Sequence, residues 1–128
     1  YPIFGVGNKN YRVVTSNNII EKVNDDYFVS THPHQFYFEV LSEHGLVGSL
    51  IFLSLLFYLV FKNLKIIILT RNDLQLGCFI YLVINFLPFI PSGSFFGDFN
   101  ATLFWLNFSL MYACNPKTNI YTNRETII

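Results

Sequence analysis

Residues 31–61, THPHQFYFEVLSEHGLVGSLIFLSLLFYLVF, decide the fold, because a polar beginning leads directly into an apolar run. The polar part contains all three histidines of the chain and two of its eight acidic residues. The apolar run starts at Leu46, and its only polar groups are Ser49, Ser54 and the hydroxyl of Tyr58. Titratable groups at the start of an apolar segment suggest chemistry at a membrane surface.

The composition favours a membrane protein over a soluble domain. A length of 128 residues corresponds to about one domain. Hydrophobic residues make up 52% of the chain and charged residues 12%, whereas soluble proteins carry about 25% charged residues. Aromatic residues reach 19%, which suits lipid-facing and interfacial surfaces. The net charge of zero gives no basis for binding nucleic acid through its phosphates, so no nucleic-acid partner is predicted.

The spacing predicts one long helix from Pro33 to Phe61. Proline is favoured at the first helical position, and no further proline occurs before Phe61. At ~1.5 Å per residue this helix would be about 43 Å long, which exceeds the ~30 Å hydrocarbon core of a bilayer. We therefore expect its first turns to project from the membrane and the part after Leu46 to cross it.

Two further spans are predicted after a basic connector. Lys62, Lys65 and Arg71 follow the first span, and positive charge marks the cytoplasmic side of a membrane protein. The second span covers residues 74–90, where a proline near the end kinks or terminates the helix. The third span covers residues 100–114. The predicted fold is therefore all-α, an integral membrane helical bundle fragment with three transmembrane helices within residues 33–114.

The remaining segments are predicted to lie outside the bilayer. Residues 1–32 are polar and form an extramembrane loop on the non-cytoplasmic side, in which Tyr11–Val14 is a short strand or an extended stretch. Residues 115–128 carry basic groups and form a cytoplasmic tail. Because the chain opens with Tyr1 in polar sequence, we expect it to be the C-terminal fragment of a longer membrane protein.

A metal site is the first chemistry that the histidines suggest. His32 and His34 resemble a ligand pair, and zinc would need a third ligand from Glu39, Glu43 or His44. Glu39 and Glu43 share one face of a helix as an i, i+4 pair. His34 lies more than a turn away from both, so convergence on one metal ion is not evident. No metal and no cofactor are predicted.

His34 as a proton acceptor is the alternative. A histidine at the N-terminus of a helix can take a proton while unpaired backbone amides bind an anion. A histidine at this position can equally be a boundary residue that only caps the helix or forms hydrogen bonds. The residue types alone favour the second interpretation.

A family resemblance changes that balance. His34-Gln35, nine residues, Gly45, two residues and Gly48 resemble the signature of the O-antigen ligase and polymerase superfamily. The stretch Phe4-Gly5-Val6-Gly7, with Tyr11-Arg12 after it, is similar to the glycine-containing stretch that lies upstream of that histidine in the family. In this family the histidine closes a large periplasmic loop and precedes the last membrane spans.

The resemblance implies glycan transfer from an undecaprenyl diphosphate-linked donor at the periplasmic face of the bacterial inner membrane. His34 would be the base that activates an acceptor hydroxyl, with inversion at the anomeric carbon and without a metal or cofactor. Arg12 would bind the diphosphate, because a guanidinium suits bidentate phosphate contacts. Gln35 and Glu39 would contribute to substrate binding. Arg12 as a solvated loop charge and Glu39 as an interfacial carboxylate remain the alternatives for those two residues.

The acceptor differs among members of this class. It is a lipid A-core sugar for a ligase, another carrier-linked glycan for a polymerase, and Ser or Thr for a protein O-oligosaccharide ligase. The sequence does not separate these three.

Two other functions compete with glycan transfer. A transporter or channel fragment would use Asn85 and Pro88 as a broken helix beside a substrate path. It predicts charged groups within the spans, and the apolar parts of the three predicted spans contain none. The second competing function is a non-catalytic membrane anchor. Under this interpretation the match to the histidine signature would be a coincidence.

Overall fold

The described part of the chain is entirely helical. A computed structural model describes residues 1–20, 33–88, 90, 93–119 and 121–122, with the backbone only for residues 17–20. These residues contain five α-helices and no strand: α1 (Tyr11–Ile20), α2 (Phe36–Phe61), α3 (Leu64–Thr70), α4 (Asp73–Asn85) and α5 (Asp98–Ala113). The all-α class predicted from the sequence is confirmed for this part of the chain.

The chain divides into two compact units. Unit 1 comprises residues 1–53 and 88–97, and unit 2 comprises residues 54–87 and 98–128. The predicted site residues His34, Gln35, Glu39 and Arg12 all belong to unit 1. The basic connector and the ends of α4 and α5 belong to unit 2.

One stretch of the described chain is long and apolar enough to cross a membrane. It runs from Phe36 to Thr70, a length of 35 residues, through α2 and α3. Only 22% of its most apolar window is buried within the protein. The apolar surface of α2 therefore faces outward, whereas the core helix of a soluble protein would be mostly covered. This arrangement is compatible with a membrane helical fragment.

Three spans are not confirmed. At ~1.5 Å per residue, the 13 residues of α4 and the 16 residues of α5 measure about 20 Å and 24 Å, less than the ~30 Å hydrocarbon core. The second predicted span extends to residue 90, but α4 ends at Asn85. The amides of Phe86 and Leu87 donate three residues back, to the carbonyls of Val83 and Ile84. This tightened turn ends the helix before Pro88, whose predecessor is disfavoured in α conformation.

The N-terminal segment contains a helix where the sequence predicts a strand or an extended stretch. Tyr11–Val14 is the first turn of α1. The carbonyl of Asn10 starts this helix, because it accepts hydrogen bonds from the amides of Val13 and Val14, both at 3.1 Å. The two valines favour a strand by propensity, but a local start signal overrides such a weak preference.

Aromatic side chains dominate the packing of unit 2, where α4 packs against α5. Phe86 lies 4.9 Å from Phe57 and 5.9 Å from Phe104, measured between ring centroids. Phe61 meets Phe79 edge-on at 5.6 Å. Phenylalanines spaced along three helical segments therefore form one continuous ring cluster.

A buried polar network closes one end of unit 2. Gln75 is fully buried, and its amide nitrogen donates to the carbonyl of Met111 and to the hydroxyl of Thr118. Its amide oxygen accepts from the Asn115 side chain at 2.8 Å. The start of α4 is thereby joined to the end of α5 by satisfied hydrogen bonds, which buried polar groups require.

Candidate functional site

The predicted site residues lie at the two helix starts of unit 1. His34 is exposed and lies two residues before the first residue of α2. The helix therefore begins three residues later than predicted, at Phe36 instead of Pro33. Arg12 is exposed in the first turn of α1. Both side chains are accessible to a substrate.

Gln35 caps α2. Its side-chain oxygen accepts from the amide of Phe38 at 2.8 Å, and its carbonyl accepts from the amide of Glu39 at 3.0 Å. The first bond satisfies one of the amides that a helix N-terminus leaves without intrahelical partners, and the second is the first i to i−4 bond of the helix. The Gln35 side-chain nitrogen donates to the carbonyl of Pro88 at 3.0 Å. Gln35 thus fixes the backbone directly after His34 and ties it to the segment that follows α4.

Glu39 binds a loop of the protein. Its side chain is 1% exposed, and one carboxylate oxygen accepts from the Ser94 hydroxyl while the other accepts from the Phe95 amide at 2.7 Å. The rings of Phe36 and Phe95 meet edge-on at 4.8 Å beside these bonds. Charge-assisted hydrogen bonds of this kind are stronger than neutral ones. Glu39 therefore holds residues 93–97 against the first turns of α2.

α2 is broken at Gly45. This residue has φ 64° and ψ −174°, which is not helical. The break releases two carbonyls on its N-terminal side and two amides on its C-terminal side, and buried backbone groups require partners. The N-terminal segment supplies all four: the Val6 and Gly7 amides donate to the Ser42 and Glu43 carbonyls at 3.0 and 2.8 Å, and the Leu46 and Val47 amides donate to the Pro2 and Ile3 carbonyls at 3.0 and 3.2 Å.

In these four bonds, residues 2–7 replace the helical partners that the break in α2 removes. A regular helix would pair Leu46 with Ser42 and Val47 with Glu43 along α2. The same i to i−4 rule would pair the amides at positions 6 and 7 with the carbonyls at positions 2 and 3. Each segment therefore pairs with the other in place of its own i to i−4 partners, and residues 2–7 dock on α2 through backbone hydrogen bonds.

Two glycines make this docking possible. Gly5 and Gly45 both have positive φ, 73° and 64°. A Cβ on Gly5 would overlap the carbonyl of Glu43, and a Cβ on Gly45 would overlap the carbonyl of Ile3 and the amide nitrogen of Gly5. The close approach at Gly45 is therefore to the N-terminal segment, at a break in the helix.

Among the described residues, two buried side-chain atoms near the break have no hydrogen-bond partner. They are Oε2 of Glu43 and Nδ1 of His44. The Glu43 carboxylate accepts a hydrogen bond from the backbone of Lys9, and Glu43 is 5% exposed. The His44 ring stacks on Phe52 at a centroid distance of 6.0 Å and lies tilted against Phe96 at 5.2 Å. The sequence suggests Glu43 and His44 only as possible third ligands of a zinc ion, although the i, i+4 spacing of Glu39 and Glu43 marks the buried face.

An apolar cleft of about 760 Å³ adjoins the docked segment. Val6 and Tyr11 line one side, and Leu41 and Leu46 line the other. Tyr11, Val14 and Thr15 of α1 line the cleft, whereas Arg12 of the same helix does not.

The structure brings together no metal-ligand set in the part of the chain it describes. No three His, Cys, Asp or Glu side chains lie close enough there to hold a metal ion. His32, one of the two histidines of the suggested pair, lies outside the described residues. The Asn85 side chain, which the transporter alternative places beside a substrate path, donates to the Tyr81 carbonyl of its own helix at 2.8 Å.

No protein-family model, no curated protein and no solved structure matches this chain.

Proposed function

We propose that the protein transfers a glycan from an undecaprenyl diphosphate-linked donor to an acceptor hydroxyl at the periplasmic face of a bacterial inner membrane. One observation carries the proposal: the segment around Gly5 docks on the helix break at Gly45. These two glycines belong to the two separate stretches that resemble the O-antigen ligase and polymerase superfamily. Their mutual fit gives a physical reason for both stretches to occur in one chain.

The chemistry needs a base, an anion-binding group and a rigid support. His34 accepts the proton of the acceptor hydroxyl, whose oxygen attacks the anomeric carbon of the donor. The bond between that carbon and the diphosphate oxygen breaks, the electron pair leaves with the diphosphate, and the configuration inverts. Arg12 binds the diphosphate through its guanidinium. General base catalysis by a positioned side chain contributes about 10²–10⁴-fold.

Gln35 and Glu39 contribute to this proposal through their hydrogen bonds. Gln35 caps the helix immediately after His34, and Glu39 holds residues 93–97 one turn further on. A base must lie within about 3 Å of the proton that it removes, so its backbone must not drift. These two residues therefore position His34 and the substrate-facing surface around it.

Membrane placement follows from charge and hydropathy. The outward-facing apolar surface of α2 suits lipid, and Lys62, Lys65 and Arg71 follow it. Positive charge of this kind stays on the cytoplasmic side. His34, at the other end of α2, then lies at the periplasmic surface, where carrier-linked glycans are transferred.

Complementation of a strain that lacks its own ligase or polymerase tests the proposal. The full-length protein with His34→Ala should lose about 100-fold or more of its glycan transfer, the contribution of a general base. His32→Ala is the matched control and should retain activity. Capping of lipid A-core by the parent protein would identify a ligase, and restored glycan chain length would identify a polymerase. Undiminished transfer by His34→Ala would refute the assignment.

A further inference from the structure

A second cleft lies in unit 2, where α2 ends. Its volume is about 450 Å³, and its walls include Leu59, Phe108 and Tyr121. Lys62, the first residue after α2, stands at this cleft together with Tyr112 of α5. The cleft is therefore an apolar space with one cation at its edge.

Aromatic rings hold the Lys62 ammonium. It lies 5.2 Å from the ring centroid of Tyr112 and 5.9 Å from that of Tyr58, within the ~6 Å range of cation–π attraction. The Tyr112 hydroxyl donates to the carbonyl of Leu59, a group released by the end of α2. This bond orients the Tyr112 ring. Lys62 itself is exposed, so its ammonium also faces solvent.

Other basic residues lie at this end of unit 2, and Lys62 is the one charged residue among those that line the cleft. Lys65 and Arg71 are exposed on and after α3, and Lys117 follows α5. Hydrogen bonds from Asn72 to the Cys114 carbonyl and from Asn115 to the Thr70 hydroxyl, both 3.0 Å, draw the ends of α3 and α5 together. Asp73 is the one carboxylate among the described residues of this end of unit 2. The local field therefore favours an anion.

We propose that this cleft binds an anionic phospholipid, with its phosphate on Lys62 and an acyl chain along Leu59 and Phe108. A basic residue near a membrane surface attracts anionic lipid with about 1 kcal/mol. Tyrosines are enriched at the level of lipid headgroups, where a ring can contact both the acyl region and a cation. The inference requires the membrane placement proposed above, but it does not require glycan transfer.

Native mass spectrometry of the full-length protein in non-ionic detergent tests the inference. The probes are phosphatidylglycerol and phosphatidylcholine with identical acyl chains. The parent protein should bind phosphatidylglycerol more tightly. Lys62→Gln should weaken that binding about fivefold, the equivalent of ~1 kcal/mol, and weaken binding of the zwitterionic phosphatidylcholine less. Lys65→Gln is the matched control, because Lys65 is exposed in the next helix and is not among the residues that line the cleft.

Three results would overturn the inference. They are equal binding of the two lipids by the parent protein, equal losses in Lys62→Gln and Lys65→Gln, and full displacement of the lipid by glycerol phosphate. The second result indicates a diffuse charge effect, and the third indicates a site for free phosphate without an acyl contact. Unchanged far-ultraviolet circular dichroism shows that each variant folds. His34→Ala should bind lipid normally. A failure of the lipid-binding inference can therefore be distinguished from a failure of the proposed glycan transfer.

Discussion

Neighbouring residues of the signature have different environments. His34 is exposed, Gln35 is partly covered by its capping bonds, and Glu39 is 1% exposed with both carboxylate oxygens bound. The residue types alone allow all three to face a substrate. The structure leaves the histidine accessible and uses the other two to hold the backbone around it.

The Glu39 carboxylate should be important for stability. Glu39→Ala leaves the buried Phe95 amide without an acceptor, and losing a buried charged hydrogen bond costs about 3 kcal/mol. Glu39→Gln keeps one acceptor for that amide and one donor for Ser94, so its cost should be about 1 kcal/mol. Thermal unfolding in detergent, followed by circular dichroism, measures both. Equal melting temperatures for the parent and Glu39→Ala would contradict the assigned bonds.

The proposed role of Arg12 in binding the diphosphate should depend on the fork shape of its guanidinium as well as on its charge. Arg12→Lys should reduce glycan transfer about tenfold, the equivalent of ~1.4 kcal/mol, because an ammonium cannot make a bidentate contact with the diphosphate. Arg71→Lys is the control, since Arg71 is an exposed arginine of unit 2. The measurement is transfer from a purified carrier-linked donor. Near-normal transfer by Arg12→Lys would remove Arg12 from the site.

At the scale of elements, α2 is two helical segments joined at Gly45. The released carbonyls and amides are paired with residues 2–7, so the N-terminal segment replaces part of the helical ladder. This exchange joins segments that are about 40 residues apart, and neither segment is complete without the other. It also sets the position of α1, which starts four residues after the docked stretch.

Gly45→Ala should destabilise the protein. A non-glycine residue at positive φ costs about 1–3 kcal/mol, and the added Cβ would also overlap the Ile3 carbonyl. Gly77→Ala is the matched control, because no atom lies within 4 Å of a Cβ there and alanine favours a helix by about 1 kcal/mol. Hydrogen exchange should report faster exchange at the Val6 and Gly7 amides in Gly45→Ala. The same melting temperature for both variants would argue against the break.

At the scale of the whole molecule, the apolar surface of α2 and the distribution of charge are the features that suggest a bilayer. The stretch from Phe36 to Thr70 is long enough to cross it, whereas α4 and α5 are short for a full crossing. Within unit 1, Glu39 holds residues 93–97 beside the first turns of α2. That contact agrees with the charge pattern, which predicts that residues 93–97 and the start of α2 lie on the same side of the membrane.

Cysteine labelling should reveal this topology. In a background with Cys78→Ala and Cys114→Ala, a membrane-impermeant maleimide should label Asn8→Cys and Gly93→Cys in intact spheroplasts. Thr122→Cys should react only after lysis. All three added cysteines replace exposed residues. Labelling of Gly93→Cys only after lysis would contradict the prediction that residue 93 and His34 lie on the same side of the membrane. Labelling of Thr122→Cys in intact spheroplasts would contradict the prediction of a cytoplasmic tail.

The sequence by itself determined the helical class, the apolar run of α2 and the basic residues after it. These features depend on neighbouring residues, through hydropathy, helix-start signals and local charge. It did not determine the start of α2 or the end of α4 to the residue, and it predicted a strand or an extended stretch where α1 begins.

Only the tertiary structure decided which polar groups are bound within the protein. Glu39 meets the Phe95 amide 56 positions later in the chain, and Gly45 meets Gly5 40 positions earlier. The residues next to a carboxylate or a glycine in the sequence do not predict which distant residue it will contact. Buried polar groups require hydrogen-bond partners. Tertiary packing determines which of these groups are buried and which distant segments come close enough to pair with them.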